Sequence, residues 1–153
     1  MISLSRVDQR LLKVLQRDAR IAFADLAQEV GLSTSACWRK VRQLEADGVI
    51  QGYAAQIDPK AVGVAFDAFL SVSIDLRQTA EFEAVIASLD EVVGCYAITG
   101  EKDYLVHAMF SSVGAFDHFV RHKLSSLSSV ENITSSLAFH TVKRERNIPL
   151  GTD

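Results

Sequence analysis

The stretch from Phe23 to Gly48, FADLAQEVGLSTSACWRKVRQLEADG, predicts two helices joined by a tight turn. Apolar residues recur at helical spacing in both halves, at Leu26, Ala27 and Val30 and then at Cys37, Val41 and Leu44. Between the halves, Gly31 offers the left-handed conformation that often ends a helix, and Ser33 offers a hydroxyl that caps the next one. The pattern is typical of a helix-turn-helix.

The outer face of the second helix is polar and basic. Small polar residues lie near its start, followed by an aromatic residue and two arginines. A helix that enters a DNA major groove needs such side chains for close approach and for contacts to phosphates or guanine edges. The candidate DNA-binding residues are Ser33, Thr34, Ser35, Trp38, Arg39 and Arg42. A solvated amphipathic helix has the same pattern, but the small residues at the turn and the outward tryptophan favour DNA binding.

The length and hydrophobic content of the chain allow one large domain or two small ones, and its charge is unevenly distributed. The chain has 153 residues, 48% of them hydrophobic, and a net charge of −3. Residues 1–65 hold nine Lys/Arg and seven Asp/Glu (+2), whereas residues 66–153 hold seven and twelve (−5). A mildly basic N-terminal half on an acidic C-terminal half fits a protein that presents one end to DNA. Because this positive charge is small, we expect that several DNA-binding heads must act together to bind DNA tightly.

Other classes of protein receive little support from the sequence. No apolar run is long enough to span a membrane, and the N-terminus lacks the apolar core of a signal peptide, so we expect a cytoplasmic protein without membrane contact. Two isolated cysteines form neither a disulfide framework nor a zinc cluster. His118 and His122 have helical spacing but no evident third ligand. We therefore expect no metal, no cofactor and no catalytic residues.

The hydrophobic pattern predicts the order of the remaining elements. Ser5 and Asp8 have the spacing of a capping box before a first helix. After Gly48, residues 49–57 suggest a short strand or wing-like arm, and Asp58–Ala65 a hinge. From Phe66 the period changes to two, and we expect strands at 66–76, 92–99, 104–110 and 130–142, with helices at 79–89 and about 116–124. The order βαββαβ predicts a ferredoxin-like sheet with both helices on one face.

One face of that sheet is left without helices although it carries apolar residues. The strands 92–98 and 104–110 are apolar on both faces, and Leu137 and Phe139 are expected to add to the second face. A second subunit is the economical cover, so the sequence predicts a homodimer through the sheet.

The turn between the second and third strands is a candidate ligand site. Gly100 lets a ligand approach the backbone, whose N–H groups would hold a carboxylate, and Glu101 or Asp103 would accept from an ammonium group. Such a site would match a free amino acid. A plain hairpin turn rich in Gly and Asp explains the same residues.

Three stretches together resemble the Lrp/AsnC, or feast/famine, family of prokaryotic transcriptional regulators. They are VGLSTSACWRKVRQLEADGVIQGYAAQIDP in the N-terminal half, the hinge Asp58–Gly63, and the turn Thr99–Tyr104. The resemblance covers the chain from Leu4 to about Pro149. It implies an α+β protein with a winged helix-turn-helix in residues 1–57, a hinge in 58–65, and a ferredoxin-like RAM domain for effector binding and oligomerisation in 66–153.

The resemblance also implies a function. The protein would be a sequence-specific regulator of amino-acid metabolism that binds double-stranded DNA and a small effector, with dimers assembling into an octamer or similar ring. The implied effector residues are Thr99, Gly100, Glu101, Asp103 and Tyr104, with Ser125 contributed by a partner subunit. Residues 36–40 and 135–139 resemble a branch associated with cysteine or related sulfur amino acids.

Two other functions fit parts of the sequence. An enzyme would use Cys95 as nucleophile with His107 or His140 as acid–base, but no orienting acid is evident. The second is an architectural DNA-binding oligomer without effector response, whose DNA binding would not change when metabolites are added.

Overall fold

The computed structural model describes residues 3–144 and 147–151. Contacts divide the chain into two compact units: Met1–Ala55 joined by Lys143–Asp153, and Gln56–Val142. The described residues from Lys143 onward group with the first unit.

The first unit is built on three helices, α1 (Arg6–Arg17), α2 (Phe23–Val30) and α3 (Thr34–Ala46). The predicted apolar stripes form its core, which contains Leu11, Val14, Leu26, Ala27, Val30, Cys37 and Val41. The predicted capping box is present, because the Asp8 N–H donates to Ser5 Oγ and the Ser5 N–H donates to Asp8 Oδ2. Helix α2 begins after Ala22 without a side-chain cap.

The structure corrects the predicted strand in the arm after α3. Gly48 adopts the expected left-handed conformation, with φ of 70°, and ends the helix. Residues 51–58, however, form no strand. A strand requires a hydrogen-bonded neighbour, and no described strand pairs with this segment.

The segment after residue 146 returns to α1 of the first unit. The backbone N–H of Ile148 donates to Gln16 Oε1, and Lys13 Nζ donates to the carbonyl of Gly151 at 2.8 Å. The described C-terminal residues are thus hydrogen-bonded to the unit that contains the helix-turn-helix.

The second unit is a four-stranded antiparallel sheet in the order β2-β3-β1-β4. Its strands are β1 (Phe66–Ile74), β2 (Val92–Ala97), β3 (Tyr104–Phe110) and β4 (Val130–Ala138). Helix α4 (Thr79–Ala87) follows β1, and α5 (Val113–His118) follows β3 and continues as a π-helical turn, Phe119–Leu124. This is the predicted βαββαβ order.

Both helices pack on the same face of this sheet. Alternate residues of β1 and β3 form one buried cluster with Phe82 and Ile86 of α4 and with Phe119 and Leu124 after α5. The other face carries half-buried Leu105, His107 and Met109 on β3, and Phe69 on β1 is 39% exposed. The described chain leaves this apolar face without helices, as the sequence predicted.

The last strand differs from its prediction in length and facing. It ends at Ala138, so Phe139 lies beyond it and is fully exposed. Leu137 is opposite Ala68 and packs against the helix-facing core, so its predicted place on the open face is wrong. A register shift near Ser73 and Ile74 changes which residues of β4 face inward, and period-two counting cannot foresee such a bulge.

Candidate functional site

The turn between α2 and α3 has the geometry that the sequence predicted. Gly31 has φ of 74°, and the Leu32 N–H donates to the Ala27 carbonyl at 2.8 Å. Ser33 caps α3, because its Oγ accepts from the Ala36 N–H at 3.3 Å. These local bonds fix the start of α3 relative to α2 inside the first unit.

The six candidate DNA-binding residues are all exposed on α3 and its cap. Trp38 is 47% exposed, and the Arg42 guanidinium carbon lies 5.5 Å from the centroid of its ring. Arg42 also forms an ion pair with Glu45 at 3.0 Å. Arg39 makes no ion pair or hydrogen bond with any described residue, so its charge is available to a ligand. The exposed face of α3 therefore combines the unpaired charge of Arg39, the paired charge of Arg42 and the exposed ring of Trp38.

Lys40, next to this surface, has a structural partner. Its Nζ lies 2.6 Å from Asp8 Oδ1 and ties α3 to the capping box of α1. Burial favours a higher pKa for Asp8, but hydrogen bonds from Lys40 and Ser5 outweigh it and hold the pKa below its ordinary value. Asp8 therefore both caps α1 and neutralises a lysine of α3.

The candidate effector turn is open at its tip. Thr99, Gly100 and Glu101 are exposed, and Gly100 has φ of 123°. The backbone N–H groups of residues 99–102 donate no hydrogen bond within the described chain. They are free to bind an anionic group such as a carboxylate.

Asp103 closes the turn and is held by β1. Its backbone N–H donates to the Val72 carbonyl at 3.0 Å, and its Oδ2 accepts from the Ile74 N–H at 2.9 Å. The other carboxylate oxygen, Oδ1, accepts no hydrogen bond from a described residue. The structure thus presents a carboxylate in a fixed orientation with one oxygen free.

Tyr104 lies apart from the open side of the turn. Its side chain is buried among the helix-facing residues, and its hydroxyl donates to Glu83 Oε1 of α4 at 2.5 Å. This bond, with burial, raises the pKa of Tyr104 to about 12. The residue fixes the base of the turn against α4.

Ser125 follows the π-helical turn and lies in a different element from the candidate effector turn. It borders a surface cavity of about 360 Å³ together with Val130–Ile133 and Ser135 of β4. Lys102 Nζ donates to Asn132 Oδ1 at 2.8 Å, so Asn132 touches both the turn and this cavity. Sequence reasoning did not single out Lys102 or Asn132, because a bond across thirty residues leaves no local signal.

The geometry separates Cys95 from His107, one of the two histidines of the enzyme hypothesis. Cys95 is opposite Val106, on the helix-facing side, whereas His107 lies on the open face and hydrogen-bonds to Asp67 at 2.7 Å. Burial, with a smaller effect of Glu83, raises the pKa of the Cys95 thiol. A nucleophile requires a base within reach and a thiolate, and this pair offers neither.

Among residues 3–144 and 147–151, no three His, Cys, Asp or Glu side chains form a group that could hold a metal ion. His118 and His122 stack with ring centroids 4.7 Å apart. No helix in these described ranges is long and apolar enough to cross a membrane.

Models of two protein families match the chain in succession. The winged helix-turn-helix DNA-binding model matches residues 4–51, and the Lrp/AsnC ligand binding domain model matches residues 67–148. The chain belongs to the Lrp/AsnC family.

Relatives along the whole chain agree with this assignment. The Bkd operon transcriptional regulator of Pseudomonas aeruginosa is 35% identical, over 98% of this chain and 100% of its own. The DNA-binding transcriptional activator DecR of Escherichia coli is 29% identical, over 96% and 99%. A transcriptional regulator of Neisseria meningitidis solved in complex with L-methionine is 37% identical, with a TM-score of 0.93 over 97% of each chain.

This Lrp/AsnC protein is therefore a DNA-binding transcriptional regulator with a ligand-binding domain, and not an enzyme. The resemblance inferred from the sequence and the α+β architecture are both confirmed.

Proposed function

We propose that the protein is a sequence-specific regulator of amino-acid metabolism that acts on double-stranded DNA in the cytoplasm and responds to a free amino acid. Helix α3 would enter the major groove, with Ser33, Thr34 and Ser35 at its N-terminal end. Trp38, Arg39 and Arg42 would contact bases or phosphates. The exposure of all six side chains supports this assignment.

The observation that carries the effector proposal is the turn at residues 99–103. Free N–H groups would bind the effector carboxylate, and the unpaired oxygen of Asp103 would accept from its ammonium group. Glu101 is exposed beside it, and Ser125 of a partner subunit would complete the site. The L-methionine complex of the Neisseria relative makes sulfur-containing amino acids the first effectors to test.

The open face of the sheet supports a dimer. Phe69, Leu105 and Met109 would be removed from water by the same face of a second copy. Two copies would supply paired DNA-binding heads, and further assembly to an octamer would supply more. Because each head carries only a small positive excess, such pairing would raise DNA affinity without new contacts.

A thermal-shift screen of the purified protein against the twenty amino acids tests the effector proposal. A ligand that binds only the folded state raises Tm by mass action. We expect a selective rise with one or two amino acids, methionine and cysteine first. A flat screen on folded protein that still shifts DNA in a gel would instead support the architectural, effector-free alternative.

A further inference from the structure

The Glu45 carboxylate links two neighbours at the exposed face of α3. Its Oε2 accepts from Arg42 Nη1 at 3.0 Å, and its Oε1 accepts from the Tyr53 hydroxyl at 2.9 Å. The Glu45 side chain is 26% exposed, whereas that of Arg42 is 61% exposed. Both carboxylate oxygens are therefore engaged, and Tyr53 holds the carboxylate where Arg42 meets it.

Tyr53 is suited to this holding role. Burial and the hydrogen bond to Glu45 raise the pKa of Tyr53 to about 12. The phenol therefore stays protonated near neutral pH and remains a hydrogen-bond donor to Glu45. Tyr53 belongs to the arm after α3, so the contact joins that arm to the DNA-facing helix inside the first unit.

The two arginines on the exposed face of α3 therefore differ in how readily their charges can contact DNA. Arg42 is placed between the Trp38 ring and Glu45, and its charge is partly neutralised before any DNA arrives. Arg39, on the same face, has no such partner among the described residues. Exposed ion pairs between residues three apart on a helix are weak. Arg42 can therefore exchange Glu45 for a stronger partner at small cost.

We propose that Glu45 is a positioning residue for DNA specificity, because it competes with DNA phosphate for Arg42. This inference rests on the proposed insertion of α3 into DNA. Sequence-independent binding depends on cations that neutralise phosphates, and a cation already paired with a carboxylate adds less to it. A matching sequence seats α3 deeply and holds a phosphate or guanine edge against Arg42 tightly enough to displace Glu45, whereas the loosely held phosphates of another sequence do not displace it. Arg42 then strengthens specific binding more than non-specific binding.

The test compares full-length wild type with Glu45→Gln on two duplexes at several salt concentrations. One duplex is selected by the wild type from a random pool, and the other is a scrambled sequence of equal length. We expect Glu45→Gln to tighten binding to the scrambled duplex by about two- to five-fold. For the scrambled duplex, the slope of the logarithm of the binding constant against the logarithm of the salt concentration should steepen by about 0.9, the value for one added phosphate contact. The selected duplex should change less, so the specificity ratio falls.

Three further variants separate this competition from a general loss of negative charge. Asp47→Asn is the matched control, because Asp47 lies at the same end of α3 but pairs with Gln43 at 2.7 Å and not with an arginine. In an Arg42→Ala background, Glu45→Gln should have no more effect than Asp47→Asn. Tyr53→Phe should act in the same direction as Glu45→Gln but more weakly, since the carboxylate remains.

The outcomes distinguish this inference from the proposed function. If Glu45→Gln behaves like Asp47→Asn, or if its effect persists undiminished with Arg42→Ala, the competition does not exist. If Arg39→Ala leaves binding to both duplexes unchanged, the DNA-binding role of α3 itself fails. Arg39→Ala weakening both duplexes, together with an inert Glu45→Gln, overturns only the role of Glu45.

Discussion

Replacement of Asp103 by asparagine should weaken the effector response by at least about half while preserving the fold. The side-chain oxygen of asparagine can still accept the Ile74 N–H that Asp103 Oδ2 accepts at 2.9 Å. The second carboxylate oxygen becomes an NH₂ group, which donates hydrogen bonds and cannot accept one from an ammonium ion. The variant therefore removes the proposed ligand contact and keeps the structural one.

The expected magnitude follows from the loss of one charge-assisted hydrogen bond. Such a bond contributes about 1.5–3 kcal/mol, which corresponds to about a 10- to 150-fold rise in Kd. At an effector concentration of about 100 times the wild-type Kd, binding stabilises the protein by about 2.7 kcal/mol. With a ten-fold weaker Kd the same concentration gives only about 1.4 kcal/mol, and with a 150-fold weaker Kd about 0.3 kcal/mol. The thermal shift should fall accordingly.

Asp103→Ala provides the structural contrast. It leaves the Ile74 N–H without its partner, at a cost of about 1–3 kcal/mol for a buried donor. In a unit of this size, each kcal/mol lowers Tm by about 4–8 °C. We therefore expect Asp103→Ala to lower both Tm and the effector-induced rise in Tm, whereas Asp103→Asn lowers only the effector-induced rise. Glu81→Gln, at an exposed position of α4 in the same unit, controls for the removal of one negative charge.

Differential scanning fluorimetry with and without the amino acid found in the screen measures both quantities. A normal thermal shift in Asp103→Asn would refute the argument, because the free carboxylate oxygen would then have no role in ligand binding. Equal Tm values for the Asn and Ala variants would refute the anchoring role of the bond to Ile74.

Three other predictions concern the DNA surface, the open sheet face and the capping box. Arg39→Ala combined with Arg42→Ala should abolish operator binding in a mobility-shift assay and leave the oligomer intact; an unchanged shift would remove α3 from the DNA interface. Leu105→Glu should convert the dimer to monomer in light-scattering measurements, because a charge on the open face opposes burial; a persistent dimer would exclude this face. Asp8→Asn should destabilise the protein most at neutral pH. Since the folded-state pKa of Asp8 is lowered, its stabilisation is present above the ordinary carboxyl pKa and is lost as pH falls through the folded value. Denaturant unfolding of both proteins should therefore converge in acid, and a constant difference across pH would contradict the ion pair with Lys40.

Local patterns accounted for most of the secondary structure. The capping box at Ser5 and Asp8, the cap at Ser33 and the left-handed Gly31 involve residues within four positions of one another. Their geometry depends on the backbone nearby, so the sequence is sufficient to predict them. The apolar residues recur every 3.6 positions in the helices of the first unit and every two positions from Phe66 onward. These helices and strands could therefore also be predicted from the local sequence.

The sequence was a weaker guide to the candidate site, because a site depends on which elements meet. It identified the exposed face of α3 and the turn at residues 99–103 as candidates. It did not indicate that Tyr104 would turn inward to Glu83, or that one oxygen of Asp103 would be held by β1. Side chains at one turn can face opposite sides of a sheet, and only the register decides which side each one takes.

The sequence by itself therefore determined the order of the main helices and of the four sheet strands, the apolar stripes of the first unit, and the caps at Ser5 and Ser33, since each follows from residues close together in the chain. Only the tertiary structure decided that Lys40 pairs with Asp8 and that Lys102 pairs with Asn132. It also decided that Leu137 lies on the helix-facing side of the sheet. These contacts join residues 30 or more positions apart or depend on a bulge in the sheet. Their partners are selected by the packing of whole elements, and no local spacing encodes that choice.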